Sequence, residues 1–263
     1  MPKSKRRAAR VALVTGGASG IGLAVVEQLI GDGWKVAAVD INAAAVAELQ
    51  KAHSDSADVM VGVLDVTDEA AVEKLVDEVT KKLGPIDGVV NSAGIARDIP
   101  ALDTPVDVFR RILDVNVIGS FIVARAVARR MKERHGKSGV GGAIVNLASV
   151  SGLRGSKGRV AYGSSKGAVI VMTQVLATDL AKYGIRVNAI APGPVDTPMA
   201  KAVHTQDDRK QWLRHVPMKR YSEPHEIATA VVFLLDTERA SYITGEVLAV
   251  DGGFRGAGLL AES

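Results

Sequence analysis

The sequence predicts a doubly wound α/β fold, in which helices cover both faces of a parallel β-sheet. Seven short runs rich in valine, isoleucine and alanine recur along the chain and alternate with stretches of helical periodicity. The runs are apolar almost throughout, which is typical of strands buried on both faces, and the stretches between them are long enough to cross over between parallel neighbours. Together these observations indicate one α/β domain.

The predicted strands cover residues 11–15, 35–39, 59–64, 86–91, 143–147, 185–190 and 246–250. A long amphipathic helix is predicted over about residues 105–134. Residues 197–222 carry mixed charge without a strong period, which predicts an irregular segment that acts as a mobile substrate lid. No linker or repeat divides the chain, so we expect a single domain over residues 11–263, preceded by a basic flexible tail, residues 1–10.

Composition and charge exclude several classes of protein. The 263 residues include 33 basic and 29 acidic side chains, but five of the basic ones lie in the first ten positions. The rest of the chain is almost neutral, so a nucleic-acid partner is not expected. No apolar run is long enough for a membrane span or a secretory leader. Without cysteine, and with five histidines that share no ligand spacing, we expect a cytoplasmic protein that holds no metal.

A glycine-rich turn links the first predicted strand to the first helix and holds Gly16, Ser19, Gly20, Ile21 and Gly22. Glycine allows a tight turn and a close approach of the backbone, and the free N–H groups at a helix start attract anions. Because this turn stands between a strand and a helix at the start of the fold, it predicts a cradle for the pyrophosphate of a dinucleotide.

The second predicted strand ends at Asp40, 18 residues after Gly22. A carboxylate at this place accepts hydrogen bonds from the ribose hydroxyls of an adenosine and repels a 2′-phosphate. Neither residue that follows Asp40 is basic, and Ser19 occupies the loop position where a basic residue would hold that phosphate. The sequence therefore favours NAD over NADP.

Small and polar residues also close the third and fourth predicted strands. Asp65 and Val66 follow the third strand, and Asn91, Ala93 and Gly94 close the fourth. Since open parallel sheets bind ligands at the carboxyl ends of their strands, we expect these five residues to contact the nucleotide.

Tyr162 and Lys166 stand four residues apart in a helical stretch, so the phenol and the ammonium lie on one face of the helix. A nearby cation stabilises a phenolate and brings the pKa of a tyrosine down toward the neutral range. Ser149 precedes Tyr162 by thirteen residues, at the end of the fifth strand, and is placed to donate to the same substrate oxygen. Asn116 lies inside the long predicted helix, where asparagine is unfavourable and so indicates a special role.

These motifs occur together in an order that resembles the short-chain dehydrogenase/reductase family, in its single-domain NAD(P)-dependent branch. They are Thr15-Gly16-x3-Gly20-x-Gly22, Asn91-Ser92-Ala93-Gly94, Asn116, Ser149, Tyr162-x3-Lys166 and Pro192-Gly193. The resemblance covers residues 11–254 and implies a seven-stranded Rossmann sheet. Ser92 departs from the Asn-Asn-Ala-Gly motif that is usual in the family.

The resemblance implies a catalytic tetrad. Tyr162 is the implied general base in alcohol oxidation and general acid in ketone reduction, and it binds the substrate together with Ser149, which polarises the carbonyl. Lys166 is implied to bind the nicotinamide ribose and to lower the pKa of Tyr162. Asn116 is implied to hold a water in the proton relay.

The same resemblance assigns the nicotinamide amide to the segment that holds Pro192, Gly193, Val195 and Thr197. Members of the family commonly form homo-oligomers, often tetramers, and residues 250–254 resemble a stretch that meets a neighbouring subunit.

The sequence therefore predicts an oxidoreductase that transfers a hydride between NAD(H) and a small-molecule secondary alcohol or ketone. An NADPH-dependent 3-oxoacyl reductase is the alternative within the family. A nucleotide-sensing or interaction protein on the same fold is an alternative of another class. That protein would dock acidic partners through the tail and through Arg125, Arg129, Arg130, Lys132 and Arg134.

Several basic side chains are expected near the substrate pocket, either as solvated surface groups or as a basic mouth that favours an acidic or polyhydroxylated substrate. They are Arg97, Arg154, Lys157, Arg159, Lys201 and His204.

Overall fold

Seven parallel strands form the centre of the computed structural model, which describes residues 9–139 and 141–257. They are β1 (Val11–Thr15), β2 (Lys35–Asp40), β3 (Val59–Val63), β4 (Ile86–Asn91), β5 (Gly142–Leu147), β6 (Ile185–Pro192) and β7 (Val247–Val250). The strand order is β3-β2-β1-β4-β5-β6-β7, so the direction of winding reverses between β1 and β4. This order confirms the predicted doubly wound sheet and places a ligand-binding crevice at the reversal.

Nine α-helices connect the strands in the described part of the chain. They are α1 (Gly20–Gly31), α2 (Ala43–Ala52), α3 (Glu69–Lys82), α4 (Val106–Leu113), α5 (Ser120–Ser138), α6 (Val160–Leu180), α7 (Pro198–Val203), α8 (Gln206–His215) and α9 (Pro224–Leu235). Helices α1, α2 and α9 pack on one face of the sheet, and α3, α5 and α6 pack on the other. None of the helices within residues 9–139 and 141–257 is both long and apolar enough to cross a membrane.

The central strands are buried on both faces, as their continuous apolar sequences predict. In β1, Val11 and Leu13 join the core under α3 and α5, whereas Ala12 and Val14 join the core under α1 and α9. The edge strands β3 and β7 are only partly buried. Two large hydrophobic cores, and a smaller cluster between β6 and α6, therefore hold the sheet in place and fix the carboxyl ends of its strands at one edge.

The long helix predicted over residues 105–134 is interrupted in its middle. A π-helical turn, Asp114–Gly119, separates α4 from α5 and contains Asn116. Such wide turns inside α-helices are frequent at functional sites, because they redirect a side chain that the regular helix would aim elsewhere. The unfavourable asparagine thus marks a real irregularity of the helix.

The irregular structure predicted for residues 197–222 is wrong over most of the segment, because Pro198–Val203 forms α7 and Gln206–His215 forms α8. Thr197 caps α7 by accepting a hydrogen bond from the Ala200 N–H. Thr205 and Asp208 form a reciprocal capping box at the start of α8. The sequence interpretation missed this Thr-x-x-Asp signal, which is typical of a helix start. Whether the segment moves as a lid stays a prediction.

Arg10 belongs to the folded body, although the sequence interpretation placed it in the tail. Its carbonyl oxygen accepts a hydrogen bond from the Lys35 N–H at 2.8 Å. Its guanidinium lies 4.2 Å from the Trp34 ring centroid and 3.9 Å from an Asp236 oxygen. Of the tail predicted over residues 1–10, residues 1–8 lie outside the described residues.

The basic side chains of α5 face acidic side chains from α3 and β4. The pairs are Arg125 with Glu69, Arg129 with Glu73 at 3.1 Å, Arg130 with Asp77 at 2.7 Å and Arg134 with Asp87 at 2.9 Å. Lys132 lies over the ring of Tyr183. Because carboxylates of the same chain already neutralise four of these five cations, this surface is poorly suited to dock an acidic partner.

Candidate active site

Two cavities meet at the carboxyl edge of the sheet, beside the point where the winding reverses. The nucleotide cleft encloses about 1040 Å³ out to its open mouth and runs from the glycine-rich turn past the ends of β2, β3 and β4. The substrate cavity measures about 810 Å³, again out to its open mouth, and lies over the end of β5 and the start of α6. The two cavities share wall residues, namely Ile21, Ser92, Gly94, Thr197 and Met199. A ligand in one cavity therefore lies next to a ligand in the other.

The glycine-rich turn brings the start of α1 to the floor of the nucleotide cleft. Gly16 has a φ of +62°, and a Cβ atom at this residue would lie 2.8 Å from the Ala93 nitrogen. A Cβ at Gly22 would collide with the Gly16 carbonyl oxygen. Ser19 starts α1 without a hydrogen bond from its side chain, so the first N–H groups of the helix stay open toward the cleft. These features suit a pyrophosphate, which needs a close backbone and unpaired donors.

Asp40 lies on the wall of the nucleotide cleft and is held there by the backbone. One carboxylate oxygen accepts from the Asn42 N–H at 3.0 Å, and the other accepts from the Ala18 N–H at 3.3 Å. Among the described residues that line this cleft, Arg111 is the one cationic side chain, and it lies 3.8 Å from Asp65 instead of beside Asp40. The sequence interpretation did not single out Arg111, because its place beside Asp65 depends on how α4 packs.

The other predicted nucleotide contacts divide into residues on the cleft wall and one residue beneath it. Asp65, Val66, Ala93 and Gly94 line the cleft together with Gly16, Ser19, Gly20 and Ile21. Asn91 is buried in the core, where its amide donates to Asn146 Oδ1 at 2.8 Å and to the Ser120 carbonyl oxygen. Asn91 therefore supports the end of β4 from below the cleft.

Tyr162 and Ser149 face each other in the substrate cavity. Burial raises the pKa of Tyr162, and the opposing effects of the Arg159 charge and of the hydrogen bond with Ser149 do not cancel it. The sequence interpretation expected Lys166 to supply the cation that lowers this pKa. In the structure the main charge that does so is Arg159, whose guanidinium carbon lies 5.4 Å from the Tyr162 ring centroid.

Lys166 is buried at the bottom of the same cavity. Its Nζ donates a hydrogen bond to the Leu147 carbonyl oxygen at 2.7 Å and lies 5.7 Å from the Tyr162 ring centroid. Burial lowers the pKa of Lys166 to about 8. The spacing of four residues thus brings the two side chains together as predicted.

Asn116 lies beneath the wall that the two cavities share. Its Oδ1 accepts from the Ile95 N–H at 2.8 Å, and its Nδ2 donates to the Ile95 carbonyl oxygen at 3.0 Å and to Ser165 Oγ at 2.9 Å. A Cβ at Gly94 would lie 3.2 Å from Asn116 Oδ1 and 3.6 Å from Lys166 Nζ. The π-helical turn therefore aims Asn116 at the loop after β4 and holds that loop close to Lys166.

The segment after β6 forms the far wall of the substrate cavity. Pro192, Gly193, Val195 and Thr197 all line it, and Thr197 also lines the nucleotide cleft. Their contact with the nicotinamide amide, which the family resemblance implies, stays a prediction. Met199 of α7 lines both cavities, which the sequence interpretation missed because it did not recognise α7 as a helix.

Of the six side chains expected at a basic mouth, Arg159 and His204 line the substrate cavity. Arg97 lines an adjacent cavity, Lys201 lies 3.4 Å from Asp196, and Arg154 stacks on Phe254.

Arg159 and His204 form a cluster with Asp98 and Tyr221, which we call the Arg159 cluster. Arg159 donates to Asp98 Oδ2 through Nε at 3.2 Å and through Nη2 at 3.0 Å. Its Nη2 also lies 2.5 Å from His204 Nε2, and His204 Nδ1 lies 3.0 Å from the Tyr221 hydroxyl. Because arginine can only donate, Nε2 is the acceptor, and the hydrogen of a neutral imidazole lies on Nδ1. Burial, with a contribution from the Arg159 charge, lowers the pKa of His204.

Hydride transfer requires a nicotinamide and a carbinol side by side, and the two joined cavities offer a place for each. The class that this fold and site define is a Rossmann-type oxidoreductase. Comparisons with known proteins agree with this class. The family model described as "Enoyl-(Acyl carrier protein) reductase" matches residues 16–255.

Relatives match along almost their whole length. A 2,5-dichloro-2,5-cyclohexadiene-1,4-diol dehydrogenase of Sphingobium indicum is 40% identical over 245 residues, covering 92% of this chain and 95% of that protein. A 3-oxoacyl-(acyl-carrier-protein) reductase of Thermotoga maritima is 38% identical over 246 residues, covering 93% and 97%. The crystal structure of levodione reductase superposes with a TM-score of 0.85 at 36% identity, covering 95% of this chain and all of that one. The chain belongs to the short-chain dehydrogenase/reductase family, which includes enzymes that oxidise CH–OH groups or reduce the corresponding carbonyls with NAD(P).

Proposed function

We propose that the protein is an NAD-dependent dehydrogenase that acts on a secondary alcohol or its ketone, with Tyr162 as the general acid and base. The observation that supports this proposal is the junction of the two cavities. Ser149, Tyr162 and Lys166 line the substrate cavity, and Gly94 belongs to its wall and to the wall of the nucleotide cleft.

Each polar side chain of the cavity has a role in this proposal. A bound nicotinamide supplies or accepts the hydride. The Tyr162 phenolate takes the proton of the alcohol during oxidation, and the Tyr162 hydroxyl gives its proton to the ketone oxygen during reduction. Ser149 donates a hydrogen bond to the same oxygen, and Lys166 binds the nicotinamide ribose and places a positive charge near the phenolate.

Asn116 supports the proton path in this proposal by holding the loop after β4. Asn116 Oδ1 and Nδ2 both form hydrogen bonds with the backbone of Ile95, so the loop stays close to the Lys166 ammonium. The relay water that the family resemblance assigns to Asn116 would bind between this loop and Lys166.

The preference for NAD rests on Asp40. Because the Ala18 and Asn42 N–H groups hold its carboxylate on the cleft wall, the charge cannot swing away from a 2′-phosphate. In this proposal the same oxygens accept hydrogen bonds from the ribose hydroxyls of NAD.

An NADPH-dependent 3-oxoacyl reductase is the second candidate. It is favoured by the 38% identity to the Thermotoga maritima enzyme of that name, and the acetoacetyl-CoA reductase of a Synechocystis species is 39% identical. Asp40 disfavours this second candidate, because NADPH carries the 2′-phosphate that this carboxylate repels.

We also propose a homo-oligomer, a tetramer by family resemblance, in the cytoplasm. Apolar side chains on the outer faces of the π-helical turn, α5 and α6 support an assembly, since Ile118, Phe121, Val171 and Val175 are all exposed in the single chain. Sedimentation equilibrium would test the stoichiometry.

The function is tested by a spectrophotometric screen with NAD and with NADP against secondary alcohols, polyols, sugars and 3-hydroxyacyl compounds. Acetoacetyl N-acetylcysteamine with NADPH or NADH tests the second candidate. We expect turnover with NAD that the Tyr162→Phe variant loses. Preferred reduction of the thioester with NADPH would support the 3-oxoacyl reductase instead.

A further inference from the structure

The ionisable side chains on the wall of the substrate cavity have one sign of charge. Among the described residues that line it, Arg159 and Lys166 are cationic, and none is aspartate or glutamate. His204 is assigned as neutral, because its Nε2 accepts a hydrogen bond from Arg159. Most of the remaining wall is apolar or backbone. A cavity of this kind favours a ligand that carries a negative charge.

Arg159 is held in place at the edge of the cavity. Its side chain is 10% exposed, and its guanidinium carbon lies 5.4 Å from the Tyr162 ring centroid and 5.7 Å from the Trp212 ring centroid. A guanidinium that is fixed and partly desolvated binds an anion more strongly than a mobile surface arginine does.

The donors of Arg159 are only partly used by its neighbours. Asp98 accepts from Nε and Nη2 through a single oxygen, and His204 accepts from Nη2. Within residues 9–139 and 141–257, the two hydrogens on Nη1 have no hydrogen-bond partner. Asp98 offsets part of the guanidinium charge, but it contacts only Nε and Nη2 and does not line the cavity. Nη1 is therefore the guanidinium nitrogen that can still donate hydrogen bonds to a ligand.

We infer that Arg159 is a substrate-binding residue that accepts the carboxylate of a short hydroxy acid, with the carbinol of that acid beside Tyr162. This inference rests on the proposed function and narrows its substrate class. Because the guanidinium carbon lies 5.4 Å from the Tyr162 ring centroid, we expect few bonds between the carboxylate and the carbinol.

The test compares acids with neutral amides of nearly the same shape. The assay measures kcat/KM with NAD for 3-hydroxybutyrate and for 3-hydroxybutyramide. The enzymes compared are the wild type, Arg159→Met, Arg159→Lys and Arg154→Met. 2-Hydroxybutyrate and 4-hydroxyvalerate, each with its amide, extend the series. Arg154→Met is the matched control, because Arg154 is exposed and does not line the cavity.

We expect the wild type to prefer at least one acid to its amide. In Arg159→Met, the ratio of the kcat/KM values for the two compounds should fall by about 10- to 100-fold, mainly through KM, because a hydrogen bond to a charged group is lost. Arg159→Lys should keep part of the preference, and Arg154→Met should keep all of it. Any general effect of the substitution on folding or on Tyr162 cancels in this ratio.

Binding is measured as well, by calorimetric titration of 3-hydroxybutyrate and its amide into the complexes of each variant with NADH, where no oxidation can occur. The inference would be overturned if the ratio of the acid to the amide, in kcat/KM or in affinity, were the same in the wild type and in Arg159→Met. It would also be overturned if no acid bound or reacted better than its amide. Failure of the proposed function gives a different result, namely no turnover of any alcohol, neutral ones included, or undiminished turnover by Tyr162→Phe.

Discussion

The Lys166 ammonium donates a hydrogen bond of 2.7 Å to the Leu147 carbonyl oxygen, which ties the start of α6 to the end of β5. Because this bond fixes Nζ 5.7 Å from the Tyr162 ring centroid, the lysine lies where the proposed mechanism requires its charge. Burying the charged form of Lys166 lowers the free energy of unfolding, and the same burial lowers the pKa of Lys166 to about 8. Stability and function are therefore opposed at this residue.

Tyr162→Phe should lower kcat by at least about 100-fold, because the variant lacks the hydroxyl that exchanges the proton with the substrate. The dissociation constant for NADH, measured by fluorescence titration, should change by less than about threefold, since the aromatic ring remains. Tyr242→Phe, at a fully exposed tyrosine, is the control. Turnover by Tyr162→Phe close to that of the wild type would remove this residue from the mechanism.

Asp40→Ala should raise the ratio of kcat/KM for NADP to that for NAD by about tenfold or more, because the carboxylate that repels the 2′-phosphate is gone. Asp40→Asn should give part of this effect, since its amide oxygen still accepts one backbone hydrogen bond. Steady-state kinetics with both cofactors measure the ratio, and Asp55→Ala, on an exposed loop away from the cleft, is the control. A wild type that already prefers NADPH would contradict the argument.

Arg159→Met should move the pH dependence of alcohol oxidation to higher pH. The charge of Arg159 lowers the pKa of Tyr162, so its removal raises that pKa and a higher pH is needed to form the phenolate. The dependence of kcat/KM on pH is measured with a neutral secondary alcohol, so that binding of a carboxylate to Arg159 does not contribute. An unchanged or acid-shifted profile would show that the charge of Arg159 does not act on Tyr162.

Lys166→Met should inactivate the enzyme and change how its stability depends on pH. The pKa of Lys166 is lowered on folding from 10.5 to about 8. Between these values the unfolded chain keeps a proton that the folded chain has released, so the wild type gains stability as pH rises through this interval. The variant lacks this gain.

The free energy of unfolding from urea titrations at pH 7 and pH 10 tests this expectation. The difference between Lys166→Met and the wild type should shift by about 3 kcal/mol in favour of the wild type at the higher pH. A difference that is the same at both pH values would show that Lys166 is not desolvated in the folded protein.

Much of the fold could be predicted because the signals are local. The apolar runs of β1 and β4 predict both strands with their observed ends, since buried parallel strands are apolar on both faces. The spacing of Tyr162 and Lys166 predicts their contact, because residues four apart share a face of a helix. Helices α7 and α8 were missed because their few turns carry little periodicity, although Thr205 and Asp208 signal the start of α8.

The sequence by itself determined the doubly wound sheet, the glycine-rich turn and the pairing of Tyr162 with Lys166, since each depends on residues close together in the chain. Only the tertiary structure decided that Arg159 is fixed between Asp98 and His204, which lie 61 and 45 positions away, and that its charge acts on Tyr162. Burial and the partners of a charged side chain depend on segments distant in sequence, and local patterns do not encode those contacts.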